Sequence, residues 1–91
     1  MAGPIETVST NPVSSLAELN DVISQQEAVL GPLISISNDG QATLLSFDVT
    51  ADPPERHTVV TVGAPPAGTT AITVGKVFIA GALTDLTAYR P

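Results

Sequence analysis

The sequence contains no cysteine and a single histidine, His57. Disulfides and thiolate metal sites are therefore excluded, and a structural zinc centre lacks its ligands. Rings are scarce as well. Phe47, Phe78 and Tyr89 are the only aromatics, so the core must be built from Val, Ile, Leu and Ala, each of which buries less area. Bases are the third shortage. Arg56, Lys76 and Arg90 stand against nine acidic residues, for a net charge of −6. Nucleic-acid affinity comes mainly from Lys and Arg neutralising phosphates, so the composition argues against a nucleic-acid partner, and the same deficit disfavours an anionic membrane surface. The longest apolar run, Val77 to Leu83, is far short of the roughly 20 residues a membrane helix needs. Met1 to Glu6 has neither the basic nor the apolar stretch of a signal peptide, so a chain made in the cytoplasm is expected.

The chain has 91 residues, enough for one domain and too few for two. A domain this small buries only about 60–65% of the surface its unfolded chain exposes, which leaves stability thin. Natural small domains compensate with disulfides, a metal or association. With the first two unavailable, association becomes the expected device.

The periodicities predict a mainly β domain with one amphipathic helix near its N-terminus, an α+β class, in a small sandwich or barrel-like arrangement. Residues 1–13 carry Ile5, Val8 and Val13 together with two prolines, Pro4 and Pro12, and show no helical or strand period. They read as an extended N-terminal arm held by another chain, with Ile5, Val8 and Val13 as its anchors on the partner. Residues 14–91 then form the single domain. Within it, Leu16, Leu19, Val22, Ile23, Val29 and Leu30 fall on one helical stripe over 15–30. Ser15 and Glu18 fit a capping box, while Gly31 supplies a left-handed cap and Pro32 forbids continuation. Gln26 is the one discordant residue in that stripe, either its polar border or an amide reserved for an interface.

From Leu33 the period changes to two, and the β-rich region runs over 33–83. Asn38-Asp39-Gly40 predicts a hairpin turn between two strands, because these residues tolerate positive φ. Residues 51–56 and 63–69 are Pro-rich loops flanking a strand at His57 to Val62. Thr70 to Leu83 reads as one long strand with a bulge or bend at Gly75-Lys76, followed by a turn and a short tail to Pro91.

The residues offer no reaction. No Ser or Thr lies in a Gly-x-Ser-x-Gly or Ser-x-x-Lys setting, and Ser and Thr suit half-exposed strand faces. Gly63 to Thr70 has the glycine spacing of a phosphate-binding loop, but Thr69 stands where a lysine must reach the phosphates, and Pro65-Pro66 delete the amides that should cradle them. Asp48, Asp52, Glu55 and His57 are the densest polar group; the prolines among them and the absence of any calcium-loop spacing favour a solvated loop over a metal site. The expectation is a binding protein, not an enzyme, with no catalytic residue, metal or cofactor.

One stretch carries a resemblance. Ala28-Val29-Leu30-Gly31, the Asn38-Asp39-Gly40 turn and Lys76-Val77-Phe78-Ile79-Ala80-Gly81-Ala82-Leu83 together resemble the small head-decoration proteins of tailed phages, the lambda-like capsid-stabilising family. The likeness spans residues 28–83 loosely; the helix at 15–30 departs from the family pattern. It implies a virion structural protein, made in the host cytoplasm and seated on the capsid surface. Its partners would be the major capsid protein and two further copies in a homotrimer. The alternatives are another virion component, a head–tail connector or tail protein, and a cellular protein–protein binding module.

Overall fold

The computed structural model describes residues 4–91; the first three residues of the segment read as an arm lie outside the described residues. The described residues form six strands and one helix: β1 (Ile5–Thr10), α1 (Leu16–Leu30), β2 (Leu33–Asp39), β3 (Ala42–Asp48), β4 (Val59–Val62), β5 (Thr70–Ile79) and β6 (Ala82–Arg90). They make two antiparallel three-stranded sheets, ordered β1-β3-β2 and β4-β6-β5. The mainly β, α+β class expected from the periodicities is the observed one.

Capping chemistry sets the helix. Ser15 is the N-cap, and its Oγ accepts from Glu18 N at 3.1 Å. The Glu18 carboxylate reaches back one residue further than a capping box requires, to Ser14 N at 3.0 Å and Ser14 Oγ at 2.7 Å. Gly31 ends the helix with φ 126 and ψ −175, a region glycine alone enters readily, in place of the expected left-handed helical cap. A Cβ there would lie 2.2 Å from Asp48 O, so the cap also permits a close approach to the end of β3. The buried face differs from the expected stripe. Leu19, Ile23 and Glu27 are fully buried at i, i+4 and i+8, whereas Val29 is 80% exposed.

Two corrections concern turns. The β2–β3 hairpin forms as expected, but Asn38 and Asp39 finish β2 and the loop is Gly40-Gln41, with Asp39 paired to Ala42. The stretch read as one strand from Thr70 to Leu83 is two strands. Ala80 (φ 51) and Gly81 (φ 82) make a tight turn, and the residues read as a tail form β6, the central strand of the second sheet. Positive φ at both loop positions matches the right-handed twist of the flanking strands. The irregularity in β5 lies between Ala71 and Thr73, not at Gly75.

The N-terminal segment is extended, and its residues 5–10 pair with β3 without interruption from Ile5↔Asp48 to Thr10↔Thr43. Val13 then bridges to Ile79, with Ala80 N donating to Val13 O at 2.9 Å. Glu6, Val8 and Thr10 pair with the buried Phe47, Leu45 and Thr43, so the segment is a strand of the chain's own sheet.

The elements follow one another around the molecule. β2 lies against β5, joining the two sheets, and α1 packs on β4 and β3. Val13, Leu19, Ile23, Leu33, Ile36, Leu45, Phe47, Val60, Val77, Leu86 and Ala88 form the enclosed core. The radius of gyration is 12.3 Å, close to the roughly 12 Å expected of a compact chain of this length. The interior is thus covered by the chain's own elements.

Candidate interaction edge and the buried carboxylate

Glu27 is the polar centre of the fold, and sequence reading did not single it out. It occupies the C-terminal end of the helix's buried face, after Leu19 and Ile23, with no exposed surface. An isolated buried carboxylate is costly, so each oxygen must be satisfied. Oε1 accepts from Thr58 N at 2.6 Å; Oε2 accepts from Leu33 N at 2.8 Å and from Thr58 Oγ1. Arg90 Nη2 lies 3.4 Å from Oε2 and donates to Leu33 O at 3.2 Å, and His57 Nδ1 stands 3.5 Å from Oε1. One side chain therefore ties α1 to the start of β2, the approach to β4 and the end of β6. Burial alone would raise the Glu27 carboxyl, but the hydrogen bonds from Leu33 and Thr58, joined by the Arg90 charge, outweigh it and hold the group below the ordinary glutamate range.

This cluster contains a hydroxyl, an imidazole and a carboxylate. The Thr58 hydroxyl is buried and donates to the Glu27 carboxylate, which leaves it closed off from solvent. The loop group read as a conceivable cation site is not gathered either. Asp48 accepts from Thr50 N at 3.0 Å and Thr50 Oγ1 at 2.6 Å, while His57 turns towards Glu27. Among the described residues, no three His, Asp or Glu side chains come together in a way that could hold a metal ion. No helix among them is long and apolar enough to cross a membrane.

The edges of the two sheets carry the geometry available for binding. An edge strand presents unpaired N–H and C=O groups that another strand can use. The free edge of β4 is occupied from within. Asn20, on α1, accepts from Val60 N at 2.8 Å and donates to Val60 O at 3.3 Å, so its amide stands in for a neighbouring strand. Among the described residues, no side chain covers the edge of β1 in this way. Beside it runs a groove of about 410 Å³ whose lining includes Val8, Thr10 and Val13 on one side and Glu18, Val22 and Gln26 of α1 on the other. Gln26, the discordant residue of the helical stripe, is thus half-buried on the groove's flank.

The three residues read as arm anchors divide. Val13 is buried in the chain's own core, and Val8 packs against that core at the groove. Ile5 is 53% exposed and is the one whose side chain stands largely free. The outer face of the first sheet is rich in hydroxyls: Thr7 and Ser46, directly paired, share a hydrogen bond at 3.0 Å. The second sheet leaves Val74 72% exposed over a shallow depression of about 350 Å³, with Lys76 and Asp85 paired at 3.7 Å on its rim.

Comparison with known proteins places no family, curated protein or solved structure beside this chain: no family model, no curated sequence and no solved structure matches it.

Proposed function

We propose that this chain is a non-catalytic assembly protein, a capsid decoration or cement protein of the kind its resemblance to lambda-like head-decoration proteins implies. The observation that carries the reading is the unequal treatment of two sheet edges. α1 closes β4 with Asn20 and leaves β1 open beside a groove. Two buried polar groups support it from the other side, since the Glu27 carboxylate and the Thr58 hydroxyl are spent on joining elements of the fold.

In such a role the mechanism is mechanical. A protein that binds the assembled shell and not its free subunits stabilises the shell by mass action, by about 2.7 kcal/mol per site at a hundredfold excess over Kd. The test is co-expression with the major capsid protein encoded in the same genome, followed by native mass measurement of shells and of free subunits. Stoichiometric occupancy of shells, with none on free subunits, is the expected result. A folded chain that ignores shells removes the capsid reading and leaves a binding module of another kind.

A further inference from the structure

Two three-stranded sheets have four edges, and three are accounted for. β2 and β5 lie against each other, close enough that Gly75 has no room for a Cβ beside Ile36. β4 is closed by Asn20. Only β1 remains among the described residues, and it carries none of the usual protections. Ile5–Thr10 contains no proline, no lysine and no register shift, and its single charged residue is Glu6.

The surroundings of that edge are acidic. Glu6 lies on β1, Glu18 lines the groove, and Asp21 is exposed one turn further along α1. The chain's bases are engaged elsewhere: Arg90 on Glu27 and Leu33 O, Lys76 on Asp85, and Arg56 on Pro91 O at 3.3 Å. Two copies placed β1 to β1 would therefore bring carboxylates from both chains into one seam without a base between them, and like charges opposed across a seam are costly. A basic strand meets the same seam with complementary charge.

We propose that β1 is the docking edge for an extended, basic segment of a partner protein, which adds to the first sheet as a fourth strand. Its backbone takes up the free N–H and C=O groups of β1. Alternate apolar side chains enter the groove over Val8 and Val22, the Gln26 amide meets its backbone, and its Lys or Arg residues face Glu6 and Glu18. The inference rests on the reading of the chain as a binding protein and adds the partner's chemistry.

The test uses the full chain and three synthetic ten-residue peptides: alternating Val and Thr with Lys at both ends, the same peptide with Glu in place of Lys, and the Lys peptide methylated on alternate backbone nitrogens. NMR titration of the first should shift the amides of Ile5–Thr10 and of Val22 and Gln26. Affinity should fall about tenfold or more with the Glu peptide and again with the methylated one, as expected when charge pairing and main-chain bonds both contribute. Glu6→Lys, at an exposed position, should weaken binding of the Lys peptide while leaving the unfolding transition in place.

Failure of the Lys peptide to perturb β1 overturns the proposal, as does equal binding of the methylated peptide, which would mean attraction without strand addition. A concentration-dependent dimer with β1 amides protected from exchange gives the edge to a second copy and likewise overturns it. The two readings part cleanly. Shell binding without peptide binding removes this edge alone, and peptide binding without shell binding removes the capsid role alone.

Discussion

Gly75 sits against Ile36 so closely that a Cβ on the glycine would stand 2.3 Å from Ile36 O and 2.7 Å from its Cγ1. This contact is where the two sheets meet, and the neighbouring Asn38 Nδ2 reinforces it by donating to Lys76 O at 2.9 Å. The glycine is therefore required for backbone approach rather than for a bend. Gly75→Ala must force β2 and β5 apart, and overpacking of this kind costs about 1–3 kcal/mol. For a domain of this size that lowers Tm by roughly 4–8 °C per kcal/mol, readable by thermal unfolding. An unchanged Tm would mean that the sheets do not meet here.

Glu27 joins three elements through one carboxylate, and removing its charge should be felt in all three. Glu27→Gln keeps the shape but turns one acceptor into a donor among groups that already donate. The expected loss is about 3 kcal/mol, within the range for breaking a buried charged network. Denaturant midpoints for the two proteins at pH 7 measure it.

The same residue fixes the sign of the acid response. Its folded-state pKa is depressed below the ordinary value of 4.5, so the unfolded chain binds the proton more readily. The stabilisation is complete above about pH 4.5 and declines as the pH falls through the lower folded value. Glu18 and Asp48 are depressed as well, by hydrogen bonds from Ser14 and Thr50, but both are exposed and solvent screens their share. The midpoint should therefore fall as the pH drops below about 4.5 and through the lower folded value, and Glu27→Gln should flatten that fall. A decline of equal steepness in the variant would assign it to other carboxylates.

Asn20 performs on β4 what a strand would otherwise do. Asn20→Ala removes two hydrogen bonds, a loss of about 1–2 kcal/mol, and uncovers Val60 N and O at a sheet edge. Sedimentation at rising protein concentration should then show association that the parent chain lacks through this edge. If the variant loses stability without associating, the amide serves only the helix–sheet contact.

Periodicity made the helix, the β2–β3 pair and the strand at β4 readable, because each has its own apolar spacing and a turn former beside it. The β5–β6 hairpin was hidden for a local reason. Its turn residues, Ala80 and Gly81, continue the apolar run on both sides, so nothing polar interrupts the pattern. Gly75 then drew the expected break to the wrong place. Glu27 was missed because a charged residue reads as solvent-facing; its spacing of four from Ile23 and eight from Leu19 was the available signal. The open edge of β1 could not be read from the sequence at all. An edge is defined by which strands fail to pair with it, and β1 finds its one neighbour some 40 residues away.

The Ala80–Gly81 turn carries its own prediction. Ala80 holds φ 51, a left-handed conformation that costs an ordinary residue about 1–2 kcal/mol and asparagine or glycine less. Ala80 is exposed, and its contribution to the neighbouring segment is a backbone N–H to Val13 O, which any residue but proline retains. Ala80→Asn should therefore stabilise the domain by about 0.5–1 kcal/mol, seen as a higher Tm. Destabilisation would show that the methyl group makes a contact the turn depends on.

Removing the N-terminal segment separates an appended arm from an integral strand. An arm can be cut without harm to the domain behind it, the outcome implied by an arm over residues 1–13 ahead of a domain over 14–91. The six-residue pairing of β1 with β3 and the packing of Val8 against the core predict the opposite. Deleting residues 1–10 strips one edge of β3, leaves Leu45 and Phe47 without their cover on that side, and reduces the first sheet to a hairpin, an arrangement marginal in water without further packing. The loss should be a large part of the roughly 5–15 kcal/mol that holds a domain of this kind together. Circular dichroism and amide exchange should show a truncated chain that no longer unfolds cooperatively. Should the truncated chain keep a sharp transition near that of the parent, β1 is a detachable strand, and its open edge could be offered to a partner together with the arm itself.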